Sequence, residues 1–276
     1  MNRHLAISLP LTALACLFAA PAAAQPVLPN FSAAVFDNSL RIDNPLFPLI
    51  PHTTFTYDGM KTDPVTGTIE TELIIVQVLD DTRTIAGIDS RVVRDSVWLE
   101  GLLVEDTFDW YAQDNAGHVW YLGENVTNYE YDDLGNLTGT SHPGSWETGV
   151  NGALPGYVME AHPMLGDHYY QELYTGIAQD HAMIVGLGET QSVPYGSFTG
   201  VLHTREFSLS PDSYGDKFYA PGVGLIKEQD FATATGALLG TTRLRSVTVP
   251  EPDAAMLLFP AVWGLLVHRL RRGAPR

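Results

Sequence analysis

At 276 residues, with a formal net charge of −17 and one cysteine, Cys16, the chain is too long for a disulfide-stapled mini-protein, and its charge disfavours nucleic acid or anionic lipid as a partner. Residues 25–252 carry 10 basic against 31 acidic side chains and no cysteine, so an exported domain made of them rests on its core and its sheet hydrogen bonds. At about 225 residues they suffice for one large domain with a proper core.

The chain starts with a short basic stretch, Asn2-Arg3-His4, then an apolar run over 5–20 and Ala22-Ala23-Ala24 before Gln25. This is the pattern of a secretory signal peptide over 1–24, handled by the Sec machinery. Cys16 after Ala13-Leu14-Ala15 offers a competing lipoprotein site, but its use leaves a very short apolar run. Residues 25–42 contain Pro and Ala without a period and are expected to form a linker. In 43–51 three prolines break an apolar run, which disfavours helix and strand interior alike. An extended strap is expected there, with Leu46, Phe47 and Ile50 packed on the domain.

From Thr53 onward short runs of Val, Ile, Thr, Tyr, Phe and Trp alternate with Gly, Asp and Asn, the signature of antiparallel strands. The expected fold is therefore mainly β: one domain over 43–249, a sandwich or a partly open barrel, with a long Gly/Pro-rich loop. Strands are expected over 53–57, 68–79, 90–99 and 102–113, the last two joined by a two-residue turn at Glu100-Gly101. Turns at Asp63 to Gly67, Asp114 to Gly117 and Asp133 to Asn136 share an Asp that can bond the backbone two residues on, and a Gly for positive φ.

In the aromatic block, alternation places Phe108 and Trp110 on one face of a strand and Asp109 and Tyr111 on the other; Val119 and Tyr121 likewise oppose Trp120 and Leu122. Cross-strand packing explains such rings; Trp110 and Trp120 could also form a platform that stacks sugar rings. The words Leu103-Val104-Glu105-Asp106-Thr107-Phe108-Asp109-Trp110-Tyr111-Ala112-Gln113-Asp114, Gly144-Ser145-Trp146-Glu147-Thr148-Gly149-Val150 and Tyr219-Ala220-Pro221-Gly222-Val223-Gly224-Leu225 make the body similar to a group of uncharacterised secreted β-rich bacterial proteins. That resemblance implies no activity.

Residues 138–166 are punctuated by six glycines and three prolines. A long irregular segment of this kind suits a lid, and its Trp146, Glu147 and Tyr157 are candidate ligand-binding residues. Strands follow over 167–175, 178–187, 198–209, 216–219 and 224–230, with a last hairpin over 231–249 turning at Gly240.

At the end of the chain Pro250-Glu251-Pro252, an apolar run over 254–267 and Arg269, Arg271, Arg272 and Arg276 follow in order. About 14 helical residues at about 1.5 Å rise reach about 21 Å, short of the roughly 30 Å hydrocarbon core, so this transmembrane helix spans marginally, with its arginines cytoplasmic. The three-part pattern of 250–276 resembles a PEP-CTERM sorting tail. The resemblance implies an exosortase-type protease as partner, transient anchoring in the inner membrane, and delivery to the cell surface or exopolysaccharide matrix of a Gram-negative bacterium.

Candidate chemistry is sparse. His162, Asp167, His168 and His181 lack a recognised metal-ligand spacing, and no metal or cofactor is expected. Glu105 with Asp109, or Glu147 with Glu160, could pair in a polysaccharide hydrolase, but no nucleophile motif is present. The expected role is structural or binding, not enzymatic, with a β-sheet pocket for an apolar or sugar ligand as the alternative.

Overall fold

The computed structural model describes residues 25–63 and 66–249; the signal peptide expected over 1–24 and the sorting tail expected over 250–276 lie outside the described residues. The described residues form an antiparallel sheet of fifteen strands, thirteen of them in series, nearly closed into a barrel. The strands are β1 (Thr54–Thr62), β2 (Ile69–Ile85), β3 (Ile88–Leu99), β4 (Leu102–Gln113), β5 (Val119–Tyr131), β6 (Leu137–Ser141), β7 (Trp146–Glu147), β8 (Leu154–Met159), β9 (His168–Tyr170), β10 (Glu172–Leu173), β11 (His181–Val193), β12 (Gly196–Phe207), β13 (Ser213–Ala220), β14 (Gly224–Ala232) and β15 (Leu238–Thr248).

The meander from β1 to β5 meets the meander from β15 to β11 where β1 pairs with β15. The far edges are brought together by one short stretch, in which β9 pairs with β11 and β10 with β8. Contact at this seam requires Gly156: a Cβ there would collide with the Tyr170 carbonyl. A barrel edge that is paired in this way is no longer a template for aggregation.

The turn at Glu100-Gly101 forms as expected, with φ of 49° and 83°, the double positive φ that matches strand twist in a two-residue hairpin. The hairpin before it is longer than expected. β2 continues past Leu79 to Ile85 because the ladder slips between Val78 and Thr82, so Asp80-Asp81 falls at an irregularity of the strand and does not end it. The last hairpin turns at 233–237, where Gly236 takes φ 67°, and not at Gly240, which lies inside β15 and pairs with both Lys61 and Asp230.

The Gly/Pro-rich segment is more ordered than an irregular loop. Its strands β6, β7 and β8 all pair with β5, at successive positions along that long strand. The expected linker, 25–42, is packed against the barrel: Val27 bridges Tyr169, Ser39 Oγ donates to Asp89 O at 2.6 Å and Ile42 is buried. Its apolar side chains lack a period, yet Phe31, Ala34 and Phe36 pack together on Trp120 and Ile42 joins the main core. The strap over 43–51 is pinned by buried Asn44, whose amide donates to Gly117 O and Glu160 O at 3.0 Å each. Leu46 and Phe47 pack inward as expected. Ile50 does not, being 53% exposed; Leu49 is buried in its place.

Candidate functional site

Alternation along β4 places Glu105, Thr107, Asp109 and Tyr111 inside the barrel, while Phe108, Trp110 and Ala112 belong to a separate cluster with Trp120 and Leu122 on the outer side. On β5 a bulge changes the pattern. The ladder slips between Trp110 and Tyr111, where Gly123 has φ 142° and no room for a Cβ against Trp146 O. The extra residue lets both Tyr121 and Glu124 face inward, since a bulge re-aims the side chains that follow it. The slip between Phe218 and Tyr219 does the same on β14, directing both Leu225 and Glu228 inward.

Two adjoining lobes result. One, of about 190 Å³, has a largely apolar wall: Phe47, Phe55, Val76, Val93 and Leu225. The other, of about 250 Å³, is lined by acids from all sides, with Asp95 from β3, Glu105 and Asp109 from β4, Glu124 from β5, Glu172 from β10, Asp180 before β11 and Glu206 from β12. Lys217 of β13, the one basic residue lining these lobes, borders both. A groove of about 180 Å³ shares Asp180, Glu206, Lys217 and Glu228 with the interior and extends to exposed Ser208 and to Asp230 at one end of the barrel. The strap residues Phe47, Pro48 and Leu49 cover the apolar lobe.

Lys217 Nζ lies 2.9 Å from Glu206 Oε2 and 3.9 Å from Glu228 Oε1. Burial opposes its charge, but these carboxylates outweigh burial and hold its pKa well above the ordinary lysine value. Glu206 also accepts from Tyr219 at 3.2 Å and Thr204 at 2.9 Å, and Asp109 accepts from Tyr121 at 2.6 Å. The remaining acids crowd one another with little compensation, and like charges out of water favour proton uptake. Burial, then Asp109 and Glu105, push Asp95 well up. Burial, reinforced by Glu105 and opposed by the Tyr121 bond, brings Asp109 to about 7. Burial and Asp109 bring Glu124 to about 8; burial, Asp180 and Glu124 bring Glu172 to about 9.

The five residues singled out from sequence are placed elsewhere, and none of them lines the two interior lobes. Trp110 lies under the Arg83 guanidinium, 4.2 Å from the ring centroid, and Arg83 is paired with Glu147. Trp120 is fully buried, bonds Asp114 Oδ2 through its indole N–H at 2.9 Å and packs edge-on to Phe31 and Tyr157 at 5.1 and 4.5 Å. Trp120 and Tyr157 border a surface groove beside 33–35. Trp146 is buried beside Tyr121, Tyr174, Ala153 and Ala178. From the expected lid, Val158 faces the interior. Of the suggested carboxylate pairs, Glu105 and Asp109 do share the acidic lobe. His168 and His181 are hydrogen-bonded to each other at 2.8 Å. Among the described residues no group of three or more His, Cys, Asp or Glu is arranged to hold a metal ion, and no helix is long and apolar enough to cross a membrane.

The acids from Glu124 to Glu228 are not legible in the sequence: the slips beside Gly123 and Ile226 change the parity of Glu124 and Glu228, and Glu172, Asp180 and Glu206 each have a polar neighbour, as a solvent-facing acid would. The one sequence signal is β4, where both faces carry large side chains.

No protein-family profile matches the chain, and no curated protein does. Two solved structures are similar to it. One is described as an exported protein with a YmcC-like fold from Bacteroides fragilis, 14% identical over 74% of this chain and 99% of that one, with a TM-score of 0.41. The other is described as a lipoprotein from Parabacteroides distasonis, 15% identical over 74% and 98%, with a TM-score of 0.40. These are loose superpositions and carry no information on activity.

Proposed function

We propose that this chain is an exported binding protein that holds a small molecule inside its barrel. The observation that carries this reading is the pair of lobes, one apolar and one polar, with a groove to the barrel end; concave, partly apolar sites with convergent polar groups are the usual design of small-ligand pockets. Routing by 1–24 and 250–276 to the cell surface or matrix is part of the proposal and rests on their sequence pattern alone. An exosortase-type protease and the Sec machinery are its partners on this reading.

The test of binding uses protein made from the full chain in a host that exports it, melted with aliphatic amines, neutral sugars and fatty acids in turn. At least one class should raise Tm, and Val158→Trp, which fills the cavity, should abolish the shift. No shift with any class at millimolar concentration would overturn the binding role. For routing, deletion of 250–276 should send the protein to the periplasm or medium, and unaltered surface display would refute the sorting role.

A further inference from the structure

The acidic lobe has more acceptors than donors. Of the donors around it, Tyr121 is bonded to Asp109, Thr107 to Glu105, and Tyr219, which lines the adjoining lobe, to Glu206. Lys217 is taken by Glu206 and Glu228. Two fully buried acceptor atoms of residues that line this space, Glu172 Oε2 and Asp95 Oδ1, have no hydrogen-bond partner. Glu172 is only 5% exposed; the Trp146 indole lies close to it, yet neither its Nε1 nor Glu172 Oε2 finds a partner within hydrogen-bonding geometry. Native proteins rarely leave such atoms unsatisfied.

We propose that the interior takes a small organic cation, a protonated amine on an apolar body, with its ammonium among Glu172, Asp95 and Asp109 and its body against Phe47, Phe55 and Val93. This deepens the binding reading and depends on it. An ammonium supplies three donors and no acceptor, and its charge complements a lobe lined by seven acids and one lysine. A sugar hydroxyl adds an acceptor with each donor, and an anion meets a wall in which Lys217 is the one cation and is already paired with Glu206 and Glu228. The acidic groove at the barrel end also attracts cations, since a cleft lined by one sign of charge concentrates its counter-ion.

Because crowding leaves several of these acids protonated near neutral pH, entry of an ammonium displaces protons. The acids facing Glu172 are Asp180 and Glu124, with Asp109 beyond them; they titrate at about 6, 8 and 7. Amine affinity therefore falls as pH drops from 8 to 6.

Isothermal titration of the exported protein with hexylamine, hexanol, glucose and calcium decides the matter. Hexylamine should bind at least tenfold more tightly than hexanol, and should release protons, seen as a heat that differs between phosphate and Tris buffers. Glu172→Gln should weaken hexylamine at least tenfold while keeping a cooperative melt. Phe47→Ala should weaken both hexyl compounds alike. Equal binding of hexanol, displacement of hexylamine by calcium, or an unchanged affinity in a folded Glu172→Gln variant would overturn the cation assignment. Binding of glucose instead would overturn it while leaving the barrel a binding protein; binding of none of the four probes, together with no Tm shift from fatty acids, would sink both.

Discussion

The two faces of β4 and β5 are both buried, yet they are opposites. Outside lie Phe108, Trp110, Trp120 and Leu122, packed against Phe31, Ala34 and Phe36 of the N-terminal segment. Inside lie Glu105, Asp109, Tyr121 and Glu124, around space. The outer face is an ordinary core displaced to the exterior of a barrel, stabilised by burial at about 25 cal/mol per Å² and by edge-on aromatic pairs of about 0.5–1.5 kcal/mol. The inner face works against folding, because each acid leaves water without a counter-charge. Burial alone does not locate a site; here the polar buried face does.

The inner face is most sensitive at Lys217. Lys217→Met leaves Glu206 and Glu228 without their cation, and loss of one partner of a buried pair costs about 3–5 kcal/mol. Thermal melts at pH 8 should show it, with a smaller loss at pH 5, where Glu228, at about 7, is protonated. An equal loss at both pH values would mean that Lys217 acts by packing and not by charge.

On the outer face, Phe31→Ala should cost about 2 kcal/mol, less than the 3–5 typical of a fully buried ring, since Phe31 is half-buried. This loss should not vary with pH, and Trp120 fluorescence should shift to the red as the ring is uncovered. A pH-dependent loss would contradict the separation of the faces.

Gly123→Ala tests how the inner face is built. Its positive φ and the nearby Trp146 carbonyl predict a cost of about 1–3 kcal/mol, together with loss of the hexylamine site as Glu124 is turned away. Wild-type stability would show that the bulge is dispensable.

One expected effect has the opposite sign. Burial, Asp180 and Glu124 raise Glu172 to about 9 in the folded state, against about 4.3 unfolded. The stability associated with its protonated form is fully present below the unfolded pKa and is lost as pH rises toward 9. Wild-type Tm should therefore decline between pH 5 and pH 9, and Glu172→Gln should raise Tm at pH 8 by about 2–4 °C for about each kcal/mol recovered, with no gain at pH 4. A gain at both pH values would exclude ionisation as its source.

The class of fold was legible in the sequence because strand alternation and turn chemistry are local: Glu100-Gly101 needed only its own backbone preference, and Asp109 and Phe108 could be assigned to opposite faces from spacing alone. Which face was the inside was not legible. Aromatic residues on one side of β4 satisfy an ordinary core equally well, and the segment that buries them from outside, 31–36, is far away in sequence and has no period of its own. Alternation also failed at Gly123 and near Ile226, where one extra residue reversed the parity and carried Glu124 and Glu228 inward. What the sequence determined by itself was the β-rich body and its acidity. The tertiary structure decided that the acids converge, because closing the sheet at Gly156 and Tyr170 brings β3, β5, β10 and β13 to face one another across a cavity that no stretch of sequence contains.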